Sequence, residues 1–123
     1  MTNETIYHIT QRQSWQSAQA AGNYVADSLA AQGFIHASTL DQVVDTANLL
    51  YTGQDGLVLL CIDSGRLTAP LEREAANAAG HRDEVVVFPH IYGSLNLDAV
   101  INVVDFPSGA NGRFVLPEAL RGG

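Results

Sequence analysis

The sequence predicts an α+β fold, a mixed and mostly antiparallel β structure that carries two or three helices near the N-terminus. Short apolar runs with strand-like patterns recur along the chain, as at residues 6–9, 57–62 and 97–106. Two Thr-x-x-Gln sequences, beginning at Thr10 and Thr39, have the capping-box pattern of helix starts. Both lie in the first half of the chain, so helices and strands do not alternate throughout as in a parallel α/β sheet.

Periodicity and turn residues place the individual elements. The predicted helices start at Thr10, at Tyr24 and at Thr39, and each ends at or near a glycine, Gly22, Gly33 or Gly53. The predicted strands cover residues 6–9, 33–38, 57–62, 88–93, 97–106 and 113–116. The polar, alanine-rich stretch at 66–83 shows no clear pattern and is interpreted as a loop.

Length and composition predict one ordered globular domain over residues 1–123. Hydrophobic residues make up 46% of the chain and charged residues 15%, which is typical of a protein with a packed core. The net charge of −7 argues against non-specific binding to nucleic acid or to anionic membranes, since both require clustered positive charge. The polar N-terminus and the lack of a long apolar run predict a cytoplasmic protein, whose expected partner is a small-molecule ligand.

Three histidines are the main candidates for chemistry. His8, His36 and His90 each lie on a predicted strand between apolar residues, whereas His81 falls in the predicted loop. Imidazole binds ligands and transfers protons near neutral pH, but a single histidine can equally be a hydrogen-bonded core residue. We expect at least two of the three to line one pocket. Tyr92 is two residues after His90 and therefore projects from the same strand face.

Other kinds of site have weaker support in the sequence. A zinc site built from three histidines stays an alternative, although the usual close spacing of two histidine ligands is missing. Cys61 lies inside the apolar run LVLLCID, which suits a buried small hydrophobe better than a nucleophile. Neither a nucleophile-elbow pattern nor a phosphate-binding glycine loop is present in the sequence.

Four further residues have a structural and a functional interpretation. Ser38 and Thr39 precede a predicted helix, where they either cap it or help its N-terminus hold a phosphate or carboxylate. Glu74, in LEREAA, is either a solvated loop residue or an assistant to the histidines. Tyr51 is interpreted as core or as the wall of a pocket.

Several segments together resemble a known family. The segments are IYHIT, GFIHAST with the helix after it, LVLLCID, and FPHIYG followed by LNLDAV. They are similar to the small bacterial family called domain of unknown function 952 (DUF952), over residues 6–106. The matching site positions are His8, His36, Ser38 with Thr39, Glu74, and His90 with Tyr92. The family has no established activity, so this resemblance implies a fold and a set of residues only.

A wider resemblance is to the ADP-ribosyltransferase fold, a split and mostly antiparallel β structure that grips nicotinamide adenine dinucleotide (NAD). It implies that His8 contacts the ribose of the nicotinamide half and that Tyr51 or His36 stacks on an aromatic ring. The glutamate that such transferases carry on a late strand is missing from VFPHIYG. Only Glu74 or Glu84 could replace its support for a cationic transition state.

Two functional hypotheses follow, and a third hypothesis gives the histidines a structural role only. The first is a transferase-like enzyme acting on a nucleotide-like or ADP-ribose-like ligand, with NAD as one possibility. Its catalytic residues are His8, His36, His90, Glu74 and Tyr92, and its ligand-binding residues are Ser38, Thr39 and Tyr51. The second is a non-catalytic binding module that uses the same pocket. The third is a domain whose histidines only stabilise its core.

Overall fold

The computed structural model describes residues 4–76 and 86–121 and shows an α+β protein with mostly antiparallel sheets. Its strands are β1 (Thr5–Gln11), β2 (Asn23–Tyr24), β3 (Ile35–His36), β4 (Leu57–Asp63), β5 (Leu71–Ala76), β6 (Val86–Ile91), β7 (Leu95–Asn96) and β8 (Val100–Asp105). Its α-helices are α1 (Arg12–Ala21), α2 (Asp27–Gln32) and α3 (Leu40–Leu50). Within the described ranges, no helix has the length and apolar character needed to cross a membrane.

Two three-stranded antiparallel sheets form the framework. One has the strand order β1-β4-β8 and the other β3-β6-β5, while β2 and β7 form a separate pair. An antiparallel bridge between Tyr7 and Ser38 connects the two larger sheets, and its two backbone hydrogen bonds are each 2.8 Å long. This bridge brings the middle of β1 beside the end of β3.

The strands divide the core into two apolar clusters. Because side chains alternate along a strand, Ile6 and His8 lie on one face of β1 while Tyr7 and Ile9 lie on the other. The first cluster surrounds Ile6 and contains residues of α1, β3 and β4. The second surrounds Tyr7 and Ile9 and contains the inner face of α3. Burial of β4 on both faces explains why its sequence, LVLLCID, is continuously apolar.

The structure confirms the coarse pattern of helices and strands but changes several boundaries. Thr10 does not cap a helix as predicted, because it continues β1, is buried, and bonds the Tyr24 hydroxyl. The first helix begins at Arg12 instead. The second capping box was predicted correctly, since the Gln42 side chain accepts a hydrogen bond from the Thr39 amide at 3.0 Å. The second helix begins at Asp27 and not at Tyr24.

The predicted loop at 66–83 was wrong in its central part, because residues 71–76 form β5. This strand pairs only with β6 and therefore lies at the edge of its sheet. An edge strand with an exposed face does not need the alternating apolar pattern that the prediction relied on. Residues 77–85, including His81 and Glu84, lie outside the described part of the chain.

The predicted strand at 113–116 is absent, and a side chain holds this segment in place instead. Asn48 of α3 accepts a hydrogen bond from the Phe114 amide at 2.7 Å and donates one to the Phe114 carbonyl at 3.0 Å. The Phe114 ring packs against Phe106 with 4.8 Å between ring centroids. A side-chain amide thus does the pairing that a strand neighbour would have done.

Replacing Asn48 should therefore weaken the attachment of the C-terminal segment. We expect Asn48→Ala to lower the free energy of unfolding by about 1–3 kcal/mol, because it leaves backbone groups of a buried residue unpaired. Urea unfolding followed by circular dichroism measures the change. Asp45→Ala, at an exposed position on the same helix, is the control and should change stability by less than about 0.5 kcal/mol. Equal effects of the two variants would contradict this account of the segment.

Candidate functional site

A cavity of about 370 Å³ lies where the two larger sheets meet α3. Its wall is built from β1, β3, β6, the second half of α3 and the residues next to these elements. The lining residues are Tyr7, His8, Ile9, Phe34, His36, Ala37, Ser38, Thr46, Leu49, Leu50, Tyr51, Phe88 and His90. None of them is an aspartate, glutamate, lysine or arginine. The described wall of the cavity is therefore mostly apolar, and the groups on it that ionise near neutral pH are imidazoles.

Strand alternation explains which side chains reach this cavity. Phe34, His36 and Ser38 are two residues apart and share one face of the chain through β3. Phe88 and His90 share the corresponding face of β6, and His36 lies directly opposite His90 in the antiparallel register. The pairing of β3 with β6 therefore brings two imidazoles from distant parts of the sequence to the same wall.

His36, His90 and Phe34 form a compact aromatic cluster on this wall. The Phe34 ring stacks on the His90 ring with 4.0 Å between centroids, and it meets the His36 ring edge-on at 4.8 Å. The centroids of the two imidazoles are 5.4 Å apart, with their planes nearly perpendicular. His90 is buried and His36 is exposed, so the pair spans the wall from the interior to the mouth of the cavity.

Glu74 and Tyr92 form a hydrogen-bonded group with His90. Nδ1 of His90 lies 2.9 Å from Oε1 of Glu74, and the Tyr92 hydroxyl donates a hydrogen bond to the same oxygen. Hydrogen bonds from Tyr92 and His90 lower the pKa of Glu74, and the bond to Glu74 raises the pKa of Tyr92. The carboxylate therefore stays ionised and the phenol stays protonated, so Tyr92 is a permanent donor to Glu74. Neither residue lines the cavity itself.

Gln32, at the C-terminal end of α2, holds His36 in a similar way. Its Oε1 atom lies 2.5 Å from Nε2 of His36, which fixes one edge of the ring. Burial lowers the pKa of His36, and the nearby His90 lowers it further. His36 is therefore neutral at pH 7 and donates its single ring hydrogen to Gln32.

His8 is bonded differently from the other two histidines. Its Nδ1 atom lies 2.5 Å from the His36 carbonyl oxygen, which only accepts, so Nδ1 carries a hydrogen. Its Nε2 atom lies 2.8 Å from the Tyr24 hydroxyl, which is 2.9 Å from Oγ1 of Thr10. His8 is thus among the lining residues, but both ring nitrogens already have partners. Its ring lies on the same strand face as Ile6, facing the first core cluster.

The predicted ligand-binding residues have different positions. Ser38 and Tyr51 line the cavity, and burial raises the pKa of the Tyr51 hydroxyl. Ser38 is buried, and its backbone is used in the bridge to Tyr7. Thr39 is not a lining residue, and its amide is paired with Gln42 as part of the helix cap. The roles of all three residues in ligand binding stay predictions.

A metal centre finds no support in the described ranges 4–76 and 86–121. No group of three or more His, Cys, Asp or Glu side chains is placed there to hold a metal ion. His8 cannot complete a three-histidine set with His36 and His90, because both of its nitrogens are hydrogen-bonded elsewhere. Cys61 is buried, and desolvation raises its pKa to about 11, so its thiol is protonated at neutral pH in the metal-free protein.

Sequence reasoning missed several residues that shape the site. Phe34 and Phe88 stand two residues before His36 and His90, so strand alternation alone could have placed them on the same wall. No sequence pattern indicated that Gln32 and Tyr24 are hydrogen-bond partners of the histidines. Their hydrogen bonds depend on how α2 and β2 are placed in the tertiary structure.

The buried environment of His8 predicts a pH-dependent stability. Desolvation lowers its pKa to about 4, and the hydrogen bond to the His36 carbonyl only partly opposes this shift. The unfolded chain binds a proton at His8 near the ordinary pKa of 6.5, so the stabilisation is complete above pH 6.5 and is lost as pH falls toward 4. We expect a loss of up to about 3 kcal/mol from this residue. Urea unfolding at a series of pH values measures it.

His8→Gln provides the control, because an amide can occupy part of the same hydrogen-bond network without titrating. Its stability should fall less on acidification than that of the wild type. The titrations of His36 and of the carboxylates occur in both proteins and cancel in the comparison. Parallel pH curves for the two proteins would show that His8 is not held neutral by burial.

Comparisons with known proteins agree with this architecture. The crystal structure of protein CC0527 from Caulobacter crescentus is 34% identical, with a TM-score of 0.79 over 91% of this chain and 94% of that chain. The crystal structure of a double mutant of CC0527 gives 33% identity and a TM-score of 0.78 over the same shares. The solution NMR structure of CC0527 gives 33% identity and a TM-score of 0.77 over 95% and 97% of the two chains.

Comparison with curated proteins finds no match. A family profile described as Protein of unknown function (DUF952) matches residues 9–103, which include the end of β1, Ser38 of the sheet junction, the Glu74–His90 pair and most of β8. Since this match spans most of the sequence, the protein belongs to the DUF952 family.

Proposed function

We propose that the cavity binds a nucleotide-like or ADP-ribose-like ligand and that His36 and His90 act on it as an acid–base pair in group transfer. One observation carries this proposal. Two adjacent imidazoles, each fixed by a polar partner, line an otherwise uncharged aromatic cavity. Such a pocket with a few convergent polar groups is the usual setting of a small-molecule site.

The arrangement of the sheets supports a likeness to the ADP-ribosyltransferase fold. Two antiparallel sheets meet at the Tyr7–Ser38 bridge, and the cavity takes lining residues from both of them. A ligand held at this junction would be gripped between two halves of a split β structure. We therefore propose that the protein is related in fold to these transferases and uses the junction in a comparable way.

The size and surface of the cavity limit which part of a ligand it takes. Its volume of about 370 Å³ lies near the lower end of the range of about 300–1,000 Å³ found for ligand pockets. It therefore suits an aromatic ring with an attached sugar better than a whole dinucleotide. Phe34, Phe88 and Tyr51 offer aromatic surface for the ring. The anionic remainder of the ligand would lie outside, toward Ser38 and the start of α3.

The proposed chemistry divides proton transfer between the two histidines. In cleavage of an N-glycosidic bond, Nε2 of His90 first takes a proton from solvent, and the leaving group then departs with the electron pair of the C–N bond and takes that proton. A water or acceptor hydroxyl then bonds to the sugar carbon and gives its proton to Nδ1 of His36. Glu74, which accepts a bond from Nδ1 of His90, orients this ring and supports its charge while the proton is in transit.

A non-catalytic binding module is the second candidate, and one feature favours it. Residues 4–76 and 86–121 bring no carboxylate to the cavity wall, so within them a developing positive charge on a sugar would find no direct partner. In this alternative, the same residues bind a ligand that is released unchanged. Both candidates predict binding, and only the first predicts turnover.

Binding is tested first, with NAD, ADP-ribose, adenosine monophosphate and adenosine as probes. We expect at least one of them to raise the melting temperature of the wild type, because ligands that bind only the folded state stabilise it. Phe34→Leu should weaken this binding about 10-fold by removing the stacking surface. Val115→Ala, at an exposed position outside the cavity, is the matched control. If no probe binds, the proposed ligand class is wrong.

Turnover is tested with any probe that binds, by chromatography of the products. We expect His90→Gln to lower kcat by about 100- to 10,000-fold, as is typical for loss of a general acid. Glu74→Gln should lower kcat by a smaller factor and change binding little.

Glu72→Gln makes the same charge change two residues earlier on β5, at an exposed position, and should leave kcat unaltered. A ligand that binds tightly and is never converted would favour the binding module over the enzyme.

A further inference from the structure

We propose that the wall formed by His36 and His90 selects ligands that present N–H donors, such as aromatic carboxamides and amino-substituted rings, and rejects the matching carboxylates. This inference rests on the proposed function in one respect, that the cavity binds a small ligand. It goes further in naming the chemical group that the two histidines recognise. It also gives Gln32 and Glu74 roles as positioning residues.

The first step is the hydrogen position on His90. Oε1 of Glu74 belongs to an ionised carboxylate and can only accept, so Nδ1 of His90 carries the ring hydrogen. Nε2 then bears a lone pair. It has no partner among the described residues, yet no described side-chain nitrogen or oxygen is both buried and unpaired. Since His90 lines the cavity, we infer that this nitrogen is the atom that meets a ligand there.

The second step is the same argument for His36. Its Nε2 atom donates to Oε1 of Gln32 at 2.5 Å, so the lone pair lies on Nδ1. Residues 4–76 and 86–121 supply no hydrogen-bond partner for Nδ1. Burial keeps this ring neutral, as its lowered pKa indicates. Two acceptor nitrogens therefore stand on adjacent rings whose centroids are 5.4 Å apart.

The third step is to ask which ligand groups can hydrogen-bond to these two acceptor nitrogens. A carboxamide or an aromatic amine has an NH₂ group whose two hydrogens can meet acceptor nitrogens. A carboxylate has only lone pairs and would face the lone pairs of both rings. The described residues bring no arginine or lysine to the cavity wall to compensate for that repulsion. The hydroxyls of Tyr7, Ser38 and Tyr51 rotate to donate or accept and therefore do not discriminate between the two groups.

The hydrogen positions can be tested directly by long-range proton–nitrogen NMR of the imidazole rings. At pH 8, above the ordinary imidazole pKa of about 6.5, we expect His90 in the Nδ1–H form and His36 in the Nε2–H form. Gln32→Glu should keep the His36 form because a carboxylate also accepts, whereas Gln32→Leu should give a mixture of the two forms. Cationic His90 or the Nδ1–H form of His36 in the wild type would overturn the inference.

Ligand selection is tested with isosteric pairs, benzamide with benzoate and adenine with hypoxanthine, after treatment with a chelator to exclude bridging metals. We expect the first member of each pair to bind at least about 10-fold more tightly, since a buried acceptor left unpaired is strongly unfavourable. Gln32→Leu should reduce this ratio, and Gln32→Glu should preserve it.

The outcomes separate this inference from the function on which it rests. Equal affinity within each pair would overturn the selectivity and leave the binding function standing. Failure of both members of every pair to bind would also overturn it, since the histidine wall would then recognise neither group. Whether the cavity binds nucleotide-like ligands is decided separately, by the nucleotide probes, and whether it converts them is decided by the turnover assay.

Discussion

The site depends on the short antiparallel bridge between Tyr7 and Ser38. Its two hydrogen bonds of 2.8 Å join the sheet of β1, β4 and β8 to the sheet of β3, β5 and β6. The bridge also fixes which faces match, because paired residues project to the same side. Tyr7 and Ile9 therefore share a side with Ser38 and His36, and α3 covers that side to enclose the cavity. A one-residue shift at this bridge would move every one of these side chains to the other side.

Pairing between strands that are distant in the sequence limits how far the site could be predicted. Alternation along a strand is local, so the shared face of His90 and Tyr92 follows from their spacing alone. The meeting of His36 with His90 depends on the register between β3 and β6, which no local pattern specifies. His8 has apolar neighbours like the other two histidines, yet its ring faces the opposite core cluster. The edge strand β5 was missed for a related reason, since its partner and not its own sequence makes it a strand.

Three histidines of similar sequence context thus have three different chemical states. Burial keeps His8 neutral, with both nitrogens bonded to protein atoms, so it acts as part of the core. His36 has one bonded nitrogen and an exposed ring. His90 is buried, has one nitrogen on a carboxylate, and lines the cavity. The partner atoms, and not the residue type, decide which imidazole can meet a ligand. This is why composition and spacing could nominate the histidines but could not assign their roles.

The position of Glu74 decides which chemistry the site can support. Its carboxylate is not among the groups that line the cavity, and its Oε1 atom accepts hydrogen bonds from both His90 and Tyr92. A cation forming on a bound sugar would therefore have no direct contact with this carboxylate, and electrostatic stabilisation weakens with distance. A proton moving through Nε2 of His90 would instead create a positive charge directly beside Glu74. The arrangement thus favours proton transfer over direct stabilisation of a cationic intermediate. Any transferase reaction here would then depend more on protonation of the leaving group than the proposed likeness to ADP-ribosyltransferases implies.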